Sequence, residues 1–273
     1  MNTRASLYQA RYGSPDVAVP DAGSPVIDHL LAHSSVRAYL PDPVSDDTLA
    51  AIIAAAQSAA SSSNLHAWSV VAVRDPARKA RLAGLAGEQE HIHKAPLLLV
   101  WLADLARLEQ VANKLGEPSS ALDYLEMFEV GVIDAALAAQ NAVTAAESLG
   151  LGTVYIGAMR NKPEEVAAEL QLPTRVVAMF GLCLGTPDPQ APASVKPRPA
   201  QSVVLHQETY SLPAQAAGLE QYDEAMRAFY TSQNMKVRGT WSNHSAKRVR
   251  DGAALSGRDR LVEALNKRGF PLK

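Results

Sequence analysis

Cysteine is almost missing from this chain: Cys183 is the one thiol in 273 residues. A lone thiol cannot pair within its own chain, which excludes a disulfide scaffold and fits a reducing compartment. Aromatic side chains are also scarce, at 5%. Neither charge sign dominates. Lys plus Arg number 26 against 28 Asp plus Glu, for a formal net charge of -2, so the basic footprint of a nucleic-acid binder is lacking. Long apolar runs are absent too. The strongest candidate, Pro96 to Ala103, falls far short of the roughly 18 residues a bilayer span requires. No glycine-rich phosphate loop of either common type occurs, so a dinucleotide would not sit in a Rossmann crevice. What is present is 47% hydrophobic content rich in Ala, Leu and Val. That implies a soluble, cytoplasmic globular chain with a sizeable core.

Residues 1–25 carry scattered Ser, Gly and Pro without a sustained apolar period or the apolar stretch of a secretory signal, and are expected to form a flexible extension. From Val26 the texture changes. Ile27, Leu30 and Leu31 make a short helical stripe, and Ser45 or Asp46 caps a helix carrying Leu49, Ile52, Ile53 and Ala56. That helix is expected to end in Ser61-Ser62-Ser63-Asn64, whose side chains compete for backbone hydrogen bonds. Strands are expected over 68–73, 96–103, 153–156 and 175–184. Helices are expected over 76–85, from Pro163, over 215–230 and over 255–267. Between Leu122 and Leu149 runs a long helix, small and apolar around most of its surface, stopped by Gly150. Such a helix must be buried on several faces, by its own sheet or by another subunit.

Four short motifs could carry chemistry. His33-Ser34-Ser35-Val36-Arg37 combines an imidazole, two hydroxyls and a guanidinium that can hold an anion, although polar loops of this kind also arise without a ligand. Ser61-Ser62-Ser63 can meet a polyol or ring heteroatoms, but helix termination explains it equally well. Tyr155-Ile156-Gly157-Ala158 ends a strand, where a glycine lets a backbone N–H approach a flat ligand; an ordinary strand exit looks the same. In Lys196-Pro197-Arg198 the proline sets two cations at alternate positions, able to share one phosphate or simply to face water. No metal site is implied. His91 and His93 lack a third ligand at useful spacing, and Cys183 lies inside an apolar strand. Together, two cationic loops, a hydroxyl run and a strand-end glycine match the needs of a flavin mononucleotide.

These motifs occur in order with Gly87-Glu-Gln89-Glu-His91, the stretch Gln140 to Gly152, Phe180-Gly-Leu-Cys-Leu-Gly185 and Thr240-Trp-Ser-Asn-His244. In this combination the chain resembles the NADPH-dependent, oxygen-insensitive nitroreductase and FMN reductase group of the nitroreductase superfamily, from about residue 26 onward. The resemblance implies an α+β fold with a central mixed, mostly antiparallel sheet flanked by helices. It also implies an intertwined homodimer holding FMN non-covalently at the subunit interface, with a cofactor-covering excursion over about 200–273. Ser35, Lys196 and Arg198 would hold the phosphate, helped by His33, with Ser34 beside them. Arg37 would sit near flavin N1 and O2, where a cation favours the reduced ring. Gly157 would direct its N–H toward N5, flanked by Tyr155, Ile156 and Ala158. Ser61, Ser62, Ser63, Gln89 and His91 would line the ribityl chain and ring. Asn64, Lys236, Arg238, His244, Lys247 and Arg248 would face NADPH or substrate, with Arg238 matching the position that meets the 2′-phosphate.

Two departures stand out against that pattern. Ser34 replaces an Arg, removing a cation beside the phosphate, and Ala158 replaces a second glycine, placing a methyl near the ring. Asn64, His66 and Trp68 also change the pocket wall. The implied activity is transfer of electrons from NADPH through FMN, by alternation, to nitroaromatics, quinones or free flavin. A reductase devoted to free flavin, feeding a partner oxygenase, is the alternative within enzymes; a flavin-storing protein without turnover is the alternative outside them.

Overall fold

The computed structural model describes residues 3–237 and 239–273. In chain order the elements are α1 (Arg4–Tyr12), α2 (Pro25–Leu31), α3 (Asp46–Gln57), β1 (Trp68–Val73), α4 (Pro76–Leu85) and α5 (Glu90–Lys94). There follow β2 (Leu97–Asp104), α6 (Ala106–Leu115), α7 (Leu125–Ser148), β3 (Gly152–Ile156), α8 (Pro163–Glu169) and β4 (Val176–Gly185). The chain closes with α9 (Gln201–Val204), α10 (Ala216–Ser232), α11 (Trp241–Arg248) and α12 (Leu261–Lys267). Two compact units result: Met1–Ser34 with Ser194–Leu255, and Ser35–Ala193 with Ser256–Lys273.

The second unit is built on a four-stranded sheet of order β1-β2-β4-β3, each neighbouring pair antiparallel. Its parallel component is a bridge between Ser35 and Thr153. Every residue of β2 is buried, as a central strand covered on both faces requires. The strand's two-residue period divides the core. Leu98, Val100 and Leu102 join one cluster with Ile92, Met159 and Val166; Leu97, Leu99 and Trp101 join another with α3 and α7. Helix α7 lays its Ala138, Ala139, Ala142 and Ala146 face on that second cluster, and small side chains there let helix and sheet approach closely. Its opposite face leaves Ile133 and Leu137, one turn apart, 54% and 44% exposed.

The first unit is helical. Thr3 caps α1 through Ser6 N, Ser24 caps α2 through Ile27 N, and α10 packs against α9 and α11.

Several expectations need correction. Residues 4–12, expected within a flexible extension, form α1 with Leu7, Tyr8 and Arg11 buried; one turn of apolar spacing is too little to register as periodicity. Helix α3 ends at Gln57 with Ser58 as its cap, so the serine run terminates nothing and instead forms a 3-10 turn over Ser62–Asn64. The basic loop contains α11, whose capping box pairs Thr240 with Asn243. The last helix begins only at Leu261, because Ser256 and Gly257 adopt positive φ before it. Helices α5, α6 and α9 went unforeseen, α5 and α9 being five and four residues long and α6 without buried residues.

Candidate active site

In the sheet unit the segment from Ser35 to Tyr39 runs beside β3. The amide of Val36 donates to Thr153 O at 2.8 Å, and the Tyr39 hydroxyl donates to Val36 O at 2.6 Å. Gly152 is required there, since a Cβ would stand 2.6 Å from the Val36 side chain. Ser35 and the exposed Arg37 are thereby tied to the strand that leads to Tyr155, Ile156 and Gly157. The guanidinium of Arg37 lies against the carbonyl of Ser35 at 3.4 Å.

Gly157 opens a 3-10 turn to Arg160. A Cβ at Gly157 would meet Arg160 Nη2 at 3.6 Å and Arg258 Nη1 at 3.8 Å, ordinary contacts, and its φ is not in the left-handed region. The backbone there does not demand a glycine, and the residue is bordered by two guanidinium groups. Burial, and then the charge of Arg258, lower the Arg160 pKa. Its guanidinium donates to Met179 O. The sequence reading missed both arginines: Arg160 sits one turn past the glycine, whereas Arg258 comes from a part of the chain that only folding brings close. Ala158 packs on the first core cluster with Met159 and Val166. Tyr155 is exposed on β3 and meets Phe180 edge-on at 5.4 Å.

The serine run is held from α7. Asp134, 1% exposed, accepts from Ser61 Oγ at 2.7 Å, Ser62 N at 3.1 Å and Ala67 N at 3.1 Å. Ser61 Oγ also accepts from His66 N at 2.8 Å, leaving its hydroxyl one free lone pair for a ligand. Ser63, Asn64 and His66 all have φ near +50°, at 47°, 57° and 50°, and the His66 ring pairs with Asn64 Oδ1 at 2.9 Å. Trp68 faces the core, tilted against Trp101 at 5.4 Å. Asp134 was the missed residue of this loop. As the one acid within an alanine-rich helical face, it could have been flagged as a buried acceptor.

Gln89 caps α5, its amide donating to Ala86 O at 3.0 Å. His91 Nε2 is buried with no hydrogen-bond partner; burial and then the charge of Arg37 lower its pKa, so the ring is neutral near pH 7. Cys183 is buried in β4 with its thiol pushed up to about 12 by burial, a core side chain and no nucleophile. Among the described residues no group of three or more His, Cys, Asp or Glu is arranged to hold a metal ion.

The helical unit gathers the other cations. His33 follows α2, and in Lys196-Pro197-Arg198 the proline is buried while both cations are exposed, as the alternation requires. Pro197 is fixed by Tyr222, whose hydroxyl donates to Pro197 O at 3.2 Å. Lys236 is exposed, and Lys247 and Arg248 occupy the last turn of α11. His244 packs edge-on against Tyr230, its Nε2 buried and unpaired. Arg238 lies outside the described residues. The segment His33 to Arg37 passes from this unit into the other between Ser34 and Ser35.

An antiparallel α+β sheet unit, with a strand-end glycine beside two guanidinium groups, and a helical unit with exposed cations define the class by fold. The particular family follows from comparison. Residues 30–186 match the nitroreductase family and residues 196–273 its C-terminal domain. The oxygen-insensitive NADPH nitroreductase of Salmonella typhimurium is 39% identical over 248 residues, 90% of this chain and 98% of that protein. The FMN reductase (NADPH) of Bacillus subtilis is 38% identical over 80% of this chain and 88% of its own. The structure of the hypothetical oxidoreductase YcnD from Bacillus subtilis superposes with a TM-score of 0.86 and 36% identity, covering 92% of this chain and all 100% of that one. This chain belongs to the nitroreductase family.

Proposed function

We propose that this chain carries electrons from NADPH through non-covalently bound FMN, in alternation, to small aromatic acceptors such as nitroaromatics, quinones or free flavin. It is an oxidoreductase of the NADPH-dependent flavin type. What supports the site assignment is an unmet group in each of the two units. His91 Nε2 and His244 Nε2 are buried without partners, and both residues were singled out from the sequence. Trp101 Nε1, Asn161 Oδ1 and Arg268 Nε are likewise buried and unpaired among the described residues; the two histidines differ in lying within motifs of the family resemblance, where a ligand can complete them. The donor set fits FMN: cations for a phosphate, hydroxyls for a polyol, and a strand-end amide for a ring.

In this reading His33, Ser35, Lys196 and Arg198 hold the phosphate, Ser34 contributing no charge. Arg37, with Arg160 and Arg258 behind Gly157, makes the ring's surroundings positive, which favours accepting electrons. Gly157 presents its N–H to the ring edge; Ser61, Ser62, Ser63, Gln89 and His91 border the ribityl chain. Asn64, Lys236, Arg238, His244, Lys247 and Arg248 receive NADPH or acceptor. When bound, FMN supplies the two-electron chemistry; the protein positions donors and sets charge. The exposed Ile133 and Leu137 on α7 support a homodimer, and a single buried thiol fits the cytoplasm.

Anaerobic stopped-flow mixing of the FMN-loaded protein with NADPH tests this. Bleaching of the flavin followed by recovery on adding nitrofurazone is the expected result; absence of bleaching would refute turnover. Recovery with free FMN but not nitrofurazone would favour the reductase devoted to free flavin.

A further inference from the structure

Arg11 belongs to no motif of the family resemblance, yet it is one of the few buried cations of the described residues, 7% exposed at the end of α1. Its Nη1 donates to Lys196 O at 3.0 Å, and its Nη2 donates to Leu31 O at 2.8 Å and His33 O at 2.7 Å. Its own carbonyl accepts from Arg198 N at 2.7 Å. One residue thus grips both cationic loops, at positions 31 and 33 on one side and 196 and 198 on the other. The helix that carries it is seated firmly. Gly13, with φ +65, caps α1 where a Cβ would stand 2.9 Å from Ala225 and 3.1 Å from Pro197.

We propose that Arg11 is the positioning residue of the flavin phosphate site: it sets His33, Lys196 and Arg198 in place before the anion arrives. This rests on the FMN reading above. Two physical effects act together. The planar guanidinium spends its donors on carbonyls, so the loops lose little further freedom when a phosphate binds. Carbonyl oxygens of His33 and Lys196 that would otherwise oppose an anion are neutralised by a charge-assisted bond. The N-terminal helix is therefore part of the cofactor site, through a side chain that touches protein alone.

The test compares FMN with riboflavin, which lacks the phosphate, in fluorescence titrations of the flavin-free full-length chain. Wild type is expected to bind FMN more tightly than riboflavin; equal binding would refute the phosphate assignment itself. Arg11→Ala is expected to weaken FMN binding by about 10-fold or more, because the loops then lose freedom on binding that Arg11 had already removed, with riboflavin affinity changed by less than about 2-fold on the same scale. Arg11→Lys, which keeps charge and size but reaches fewer carbonyls, is expected to fall between, and it serves if the alanine variant does not fold. Wild-type discrimination together with an unchanged FMN preference in both variants would overturn the role of Arg11 alone. Parallel loss of FMN and riboflavin affinity would make it merely structural, and would overturn it equally.

Discussion

Replacing Asp134 by Ala should unhinge the serine loop from α7. Three donors converge on that carboxylate, from Ser61 Oγ, Ser62 N and Ala67 N, at 2.7, 3.1 and 3.1 Å. A hydrogen bond to a charged acceptor is worth about 1.5–3 kcal/mol, and a buried donor left unpaired costs about 1–3 kcal/mol. The Ala67 amide is fully buried and cannot recover water, whereas the Ser61 and Ser62 groups are partly buried and can. Counting the Ala67 loss in full and the other two at about half gives roughly 3–6 kcal/mol. That is a large fraction of the 5–15 kcal/mol typical of a domain, written as an order of magnitude. Ser63, Asn64 and His66, between the positions that Asp134 bonds, sit in left-handed backbone at a cost on the order of 1 kcal/mol each, so the freed loop should relax away from its present shape. Urea unfolding of the flavin-free chain reads the stability term, and flavin titration reads the loop. Asp134→Asn, which keeps volume and one acceptor oxygen, should lose about half as much on the same accounting. A stability change for Asp134→Ala below about 1 kcal/mol, with unaltered flavin affinity, would refute the claim that this carboxylate builds the loop.

Three further outcomes follow from the site. Gly157→Ala should fold normally, because its Cβ meets only two arginine ends at ordinary distance, yet lose flavin affinity; melting temperature and titration separate the two effects. The folded pKa of His91 lies below its ordinary 6.5, so the unfolded chain binds the extra proton first. The neutral ring's contribution is therefore present above about pH 6.5 and declines as pH falls toward the folded value. His91→Gln should flatten that acid limb in melting curves recorded from about pH 7 to 5, and an unchanged slope would exclude the histidine as its source. Arg238→Ala should impair NADPH more than NADH in steady-state reduction; equal losses would remove its assigned role with the 2′-phosphate.

The strands were readable in advance wherever β-branched and apolar residues ran together, as in Trp68 to Val73 and Arg175 to Leu184. The long alanine-rich helix was readable from its composition and from Gly150. Short helices escaped notice because five residues, as in Glu90–Lys94, span barely more than a turn and cannot display a period. The serine run misled for a different reason. Polar side chains that suit a helix end suit a side-chain-anchored loop equally, and the anchor, Asp134, lies 73 positions from Ser61.

Local chemistry in the amino-acid order alone thus determined the class of this protein: the cationic motifs, the strand-end glycine, the buried apolar strands and the family resemblance all depend on neighbours within a few residues. Tertiary structure decided which groups surround them. Arg258 beside Gly157, Asp134 beneath Ser61, and Arg11 across 185 positions from Lys196 are pairings between distant segments. Their energies come from burial and from hydrogen bonds closed only after the chain has collapsed. The scarce cysteine and aromatics noted at the outset acquire a physical sense in the same way. With no disulfide and few rings, cohesion rests on buried Leu, Val and Ala side chains and on arginines that bind backbone carbonyls from far along the chain.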